Sequence, residues 1–273
     1  DGIQGYAKAP GMGMLDATIC DIYLINESGE IIGRPILTAC IDGYSSLCCG
    51  YALTWEGGMY SLRQLMLNVV TDKQELCRKH GINIDPQEWN FSMCPGVLVT
   101  DQGTEYVSNC FEQIAELGIK VVNLPVYRPE LKGNVEKFFG IIQDLFRPYL
   151  KGKGLIEPDF QERGAHDYRK DACLTLEQFE KVLIRCIIYY NSQRIIENFP
   201  YTDDMLKNKV SPYANDIFTY GKNLEGTNLV KVNKRQLMLT LLPRTTGKFT
   251  RSGLIVNHVR YKNPNYAEKY LSG

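Results

Sequence analysis

The chain has 273 residues, 44% hydrophobic and 23% charged, with 31 basic and 31 acidic side chains that cancel to a formal net charge of zero. That is long enough for one large domain or two modest ones around a real core, with an ordinary soluble composition. No apolar run approaches bilayer length, so no membrane partner is expected. The start, at Asp1 rather than Met, does not resemble a signal peptide and is compatible with a piece of a longer protein.

The nine cysteines do not read as a disulfide framework. Cys20, Cys40, Cys48 and Cys49 fall in strand-like runs and Cys186 in an apolar helix pattern, which predicts buried thiols in a reducing cytosol. There is no CxxC pair, and the histidines are His80, His166 and His258 alone, so a zinc site is not expected.

In chain order, residues 1–13 are glycine-rich and read as a flexible lead-in. MLDATICDIYLI, IIGRPILTACID and LCCGYALTW then read as three strands of an antiparallel meander. Leu62, Leu65, Met66, Val69 and Val70 recur at helical spacing in a helix from about Tyr60 to His80, closed by Gly81. VLVT at Val97–Thr100 is the kind of short apolar strand that is buried on both faces. Phe111, Ile114, Ala115 and Leu117 mark a helix ended by Gly118, and IKVVNLP reads as another strand. Val135, Phe138, Phe139, Ile142, Leu145 and Phe146 mark a long amphipathic helix. Residues 151–174 read as an irregular insertion, and Thr175 with Gln178 as a capping box opening a helix to about Asn191. Residues 198–227 read as a linker. From 228 to 273, RQLMLTLLPR and KFTRSGLIVNHVRYK read as strands of a small β-barrel domain with a tail. Three antiparallel strands followed by alternating helix and strand give an α/β core over 14–197 with a mixed sheet. Its order matches the ribonuclease H-like fold.

The charge is unevenly spread. Lys231, Lys234, Arg235, Arg244, Lys248, Arg251, Arg260 and Lys262 fall in one stretch without an acid, whereas the first 150 residues carry more acids than bases. Such a split points to a nucleic-acid partner for the basic part, its plain alternative being a solvated face.

Asp16 lies on the first strand, Asp101 directly after VLVT, and Glu136 in the first turn of the long helix. Sites in open α/β sheets form beyond the carboxyl ends of strands. If the first and fourth strands are neighbours, these carboxylates meet at one edge, where divalent metal would relieve their repulsion. Two such ions about 3.5–4 Å apart suit phosphoryl transfer on DNA, and Mg²⁺ takes carboxylate oxygens. Asp21 falls on the opposite face of a regular strand from Asp16, and Asp42 suits a turn.

LDAT (15–18), LVTDQGTEYVS (98–108) and RPELKGNVEKFFG (128–140) resemble the three acidic motifs of the retroviral-integrase superfamily of D,D,E transposases, with the last two acids 136 − 101 = 35 apart. Within it, DATICDIYLI, the GRP of Gly33–Pro35 and KGNVEKFF are most similar to the TnsB family, related to phage Mu transposase and TniA-type proteins. The resemblance covers about residues 14–195 and, more weakly, the terminal β-domain. It implies a transposase that cleaves the 3′ ends of transposon DNA and joins them to target DNA, with Asp16, Asp101 and Glu136 holding two Mg²⁺ ions, which Mn²⁺ can replace. It also implies DNA contacts from Arg128 and Lys132; Lys248, Arg251 and Arg260 are the candidate phosphate contacts of the basic β-domain. The implied partners are transposon-end and target DNA, further copies of the chain on DNA, a regulatory AAA+ ATPase and an endonuclease subunit, all at the bacterial nucleoid. The family's N-terminal DNA-binding helical domains and its distal ATPase-contacting tail find no counterpart in this sequence. Two other readings are a stand-alone integrase-like transposase and a catalytically silent DNA-binding or assembly module.

Overall fold

A computed structural model describes residues 6–100, 113–123, 129–161, 166–250 and 253–262. The apolar runs at the front of the chain form β1 (Met12–Ile19), the short β2 (Leu24–Ile25) and β3 (Ile31–Gly33), then β4 (Ile36–Asp42) and β5 (Cys48–Thr54). The first two expected strands are each broken in two. The chain leaves β1 after Ile19, and the Cys20 amide donates to the Pro35 carbonyl. Pro35 cannot donate to a ladder, and among the described residues β2 and β3 form a separate two-stranded sheet.

The expected single helix at Tyr60–His80 is also two, α1 (Met59–Val69) and α2 (Lys73–Lys79). Asp72 caps α2 by accepting from the Glu75 amide, and Gly81 stops it at φ +70°. Lys73 is buried, and its Nζ donates to the carbonyls of Asn68, Val69 and Thr71, satisfying the end of α1. Burial pulls this ammonium down to about 8, against the opposing pull of Cys49 and Cys48. A proton held less tightly in the folded than in the unfolded chain makes Lys73's contribution to stability largest above pH ~10.5, and that contribution is lost as pH falls through 8. The stability difference between wild type and Lys73→Met should therefore shift in favour of wild type on going from pH 8 to 10, as read by urea titration; a pH-independent difference contradicts this.

Farther along lie β6 (Cys94–Pro95), β7 (Val97–Thr100) and a 3₁₀ turn at Gln113–Leu117. β8 (Lys120–Asn123), α3 (Pro129–Leu150) and α4 (Leu176–Ser192) follow. The capping box at Thr175 and Gln178 opens α4 as the sequence predicts. The sheet order is β5-β4-β1-β7-β8, with β5, β4 and β1 antiparallel and β7 and β8 parallel to β1. A meander of three strands followed by two parallel additions on the far side of β1 is the ribonuclease H-like order, and β1 is its central strand. α3 packs on β1 and β4, and α1 on β5. Val135, Phe138, Phe139, Ile142 and Phe146 are buried on α3, as their spacing predicts.

Three expectations about the chain's organisation change. Residues 6–11 are not a loose lead-in: the Ala7 amide donates to Gly43, and Pro10 accepts from Asn228. Gly11 sits at φ +117°, where a Cβ would lie 2.1 Å from the Asn228 carbonyl oxygen. Residues 198–227 are not a bare linker. They hold α5 (Asp203–Lys207) and α6 (Ala214–Gly221), which bury Met205, Ile217 and Phe218. β9 (Leu229–Val230) then pairs with β6. Finally, RQLMLTLLPR is not a strand but carries α7 (Lys234–Thr240), capped by Asn233 and packed on α1.

The chain divides into a unit of residues 1–241 and a unit of 242–273. The second holds a three-stranded antiparallel sheet, β10 (Lys248–Thr250), β11 (Gly253–Val256) and β12 (Val259–Tyr261). No helix among the described residues is long and apolar enough to cross a membrane.

Candidate functional site

β1 lies between β4 and β7, and Asp16 stands at its fifth position, half-buried. On one side Asp16 is paired with Ala39 of β4. On the other, the described ladder with β7 runs from Met12↔Val97 to Leu15↔Thr100. The next residue along each chain is Asp16 and Asp101, respectively. Asp101 itself lies outside the described residues. The Asp16 carboxylate accepts from the Ala17 amide at 2.8 Å, the kind of backbone donor that holds a carboxylate in one orientation.

Glu136 is exposed and sits on α3, but not in its first turn. The helix begins at Pro129, a residue suited to the first helical position because it lacks an N–H, so Glu136 is about two turns in and Gly133 is inside the helix. Gln143 ties α3 to the segment just past the end of β1: its Oε1 accepts from the Asp21 amide at 3.1 Å. Glu136 is seven residues before Gln143, so both lie on one face of α3. Gln143 was not singled out from sequence; its signal was that spacing from Glu136.

The other two acids play structural parts. Asp21 pairs with Arg34 at 2.6 Å. Asp42 is 1% exposed and turn-forming, accepting from the Gly11 amide at 3.1 Å and from the Ser45 amide and hydroxyl at 2.8 and 2.7 Å. Burial pushes its carboxyl above the ordinary value, and the Ser45 bonds pull it back.

Among the described residues, no group of three or more His, Cys, Asp or Glu is placed to hold a metal ion. Of the expected trio, Asp16 and Glu136 are described. Both offer the hard oxygen ligands that Mg²⁺ prefers. Arg128, Arg251 and the Lys132 side chain also lie outside the described residues. Lys248 and Arg260 are exposed on the outer strands β10 and β12 and are both paired with Ile255 of β11, which puts them on one face of that sheet. Phe249, Leu254 and Tyr261 share the other face.

The family model for the TnsB C-terminal domain matches residues 14–152, a stretch that includes most of β1, β7 and all of α3. The chain belongs to this family. It is 30% identical over 235 residues to the transposon Tn7 transposition protein TnsB of Escherichia coli, covering 84% of this chain and 33% of that protein. It is also 30% identical over 138 residues to the transposase for transposon Tn552 of Staphylococcus aureus, covering 50% of this chain and 26% of that one. This member thus spans about a third or less of the length of these curated relatives.

Two solved structures are similar at low identity. The catalytic core domain of BIV integrase aligns with a TM-score of 0.45 and 14% identity, over 78% of this chain and 95% of that one. The HTLV-2 integrase catalytic core domain in complex with magnesium aligns at 0.42 and 15%, over 71% and 95%. Both scores are below 0.5, so the fold assignment of this family member rests on its strand order.

Proposed function

We propose that this chain carries the catalytic centre of a DNA transposase, with Asp16, Asp101 and Glu136 holding two Mg²⁺ ions that Mn²⁺ can replace. The observation that carries the reading is the ladder Leu15↔Thr100: each strand's next residue is an acid, and α3 packs on the same central strand with Glu136 on the Gln143 face. The three acids come from separate parts of the chain. When bound, a pair of divalent ions neutralises charge at the scissile phosphate and makes water or a DNA 3′-hydroxyl an effective nucleophile.

The residues' own contribution is orientation. The Ala17 amide fixes the Asp16 carboxylate, and the buried Phe138, Phe139 and Ile142 hold α3, and Glu136 with it, against the sheet. No protein nucleophile is needed, so no covalent intermediate forms on the chain. The reaction is 3′-end cleavage of transposon DNA followed by strand transfer to target DNA, carried out by several copies assembled on DNA at the bacterial nucleoid, with an AAA+ ATPase and an endonuclease subunit as partners. Labelled transposon-end duplex should be nicked with Mg²⁺ present and left intact with EDTA. Equal binding but no nicking under both conditions would identify a silent assembly module instead.

The terminal basic segment is proposed to contact phosphates through Lys248, Arg251 and Arg260. Each phosphate neutralised adds about −0.9 to the slope of log K against log salt. Lys248→Ala and Arg260→Ala should each flatten the slope on duplex DNA by about one unit, with no change in sequence preference. Unchanged affinity and slope in both would leave this face merely solvated.

A further inference from the structure

β5 is an edge strand of the five-stranded sheet. At the first half, side chains replace a neighbouring strand. The Cys48 amide donates to Asn191 Oδ1, and its carbonyl accepts from Trp89 Nε1 and Asn191 Nδ2. The Tyr51 amide donates to Asn68 Oδ1 at 3.1 Å. That bond shows that Tyr51 directs its backbone polar groups away from β4. Strand groups alternate in direction with period two, so Leu53 directs its N–H and C=O outward as well. Among the described residues no side chain caps these Leu53 groups, and Leu53 itself is only 7% exposed. They open instead on a groove of about 560 Å³, one wall of which is the stripe Tyr60, Gln64 and Asn68 of α1, at four-residue spacing. The other wall is Leu176 and Glu180 of α4, also four apart. Glu56 lies at the exit of the strand, exposed.

We propose that this groove docks an extended segment of another protein, which adds to the open half of β5 as a further strand and places a lysine or arginine toward Glu56 and Glu180. Exposed edges with unpaired N–H and C=O groups are templates for such addition, the backbone bonds giving affinity and the flanking pockets selectivity. The charge decides the occupant. Two carboxylates line the groove, Glu56 exposed and Glu180 accepting from the Tyr51 hydroxyl at 2.8 Å, and their charge disfavours a phosphate backbone and favours a basic peptide. Neither Asp16 nor Glu136 lines this groove, and the proposal does not depend on the chain's catalytic role.

The test uses amide hydrogen exchange resolved by residue, with a short acetylated and amidated peptide of alternating valine and lysine as probe. In the free protein the Leu53 amide should exchange freely while those of Ala52 and Thr54 are protected. Saturating peptide should slow Leu53 by about tenfold or more. Reversing the exposed charge with Glu56→Lys should weaken peptide binding by about fivefold. Filling the groove with Gln64→Trp should abolish it, with the thermal transition kept. A Leu53 amide already protected in the free chain overturns the proposal. So do peptide binding that leaves Leu53 unchanged and self-association of the chain that protects Leu53 without peptide.

Discussion

Replacing Asp16 or Asp101 by Asn, or Glu136 by Gln, should reduce both end cleavage and strand transfer by about a thousandfold or more. Removing one charge-stabilising element from a preorganised site costs about 10²–10³ in rate, and losing a metal ligand removes more than one such contribution. Folding should survive. Asp16 is half-buried, Glu136 is exposed, and neither substitution empties the core. DNA binding should also survive, because phosphate contacts come from basic side chains rather than from the acids. The effects should not add: each single variant should lie close to the triple variant, since the three acids are proposed to act as one unit. Gel assays on labelled transposon-end DNA, run beside circular dichroism and a binding titration, check all of this. A variant that transfers strands at near-normal rate would remove that residue from the site.

Asp42→Ala should instead cost stability, about 3–5 kcal/mol, by leaving buried donors without an acceptor. The Gly11 amide and the Ser45 amide and hydroxyl all depend on its carboxylate. For a chain of this size that loss lowers the melting temperature by roughly 10 °C. Activity should fall with it, since Asp42 pairs with Gly13 and ties Gly11 to the start of the strand that bears Asp16. Asp21→Ala is the control: the Asp21–Arg34 pair is partly exposed, so its loss should cost less than about 1 kcal/mol. Calorimetry on both variants separates the two acids. Similar small shifts would mean that the Asp42 turn is not a keystone of β1.

The central part of this fold was legible because its signals are local. VLVT is buried from Leu98 on as a continuous apolar strand should be, Gly81 and Gly118 end their helical segments at positive φ, and the Thr175–Gln178 box opens its helix. What was not legible depends on distant partners. Gly11 looks like part of a flexible leader until Asn228 is found against it, 217 residues away (228 − 11). The strand through Ile31–Asp42 breaks at Arg34–Pro35 because Arg34 turns to Cys20 and Asp21. In RQLMLTLLPR the leucines hid two patterns. Leu237 and Leu241, four apart, are both buried, while Met238 and Leu239 between them are exposed, which is a helical rather than a strand arrangement. The Asn233 cap was the signal that could have decided it. For the proposed site, the three acids are a reading of the sequence, while the central position of β1, the Leu15↔Thr100 ladder and the Gln143 bond of α3 come from the structure.

The central claim is that three acids, distant in sequence, hold metal at one place. Iron-directed cleavage tests it most directly. Fe²⁺ replaces Mg²⁺ in the DNA-bound protein, and ascorbate with hydrogen peroxide then generates hydroxyl radicals at the metal, which cut nearby backbone. The account predicts cuts clustered beside Asp16, Asp101 and Glu136, suppressed by excess Mg²⁺ and absent from the Asp16→Asn protein. Cuts confined to one of the three, or elsewhere in the chain, would contradict it.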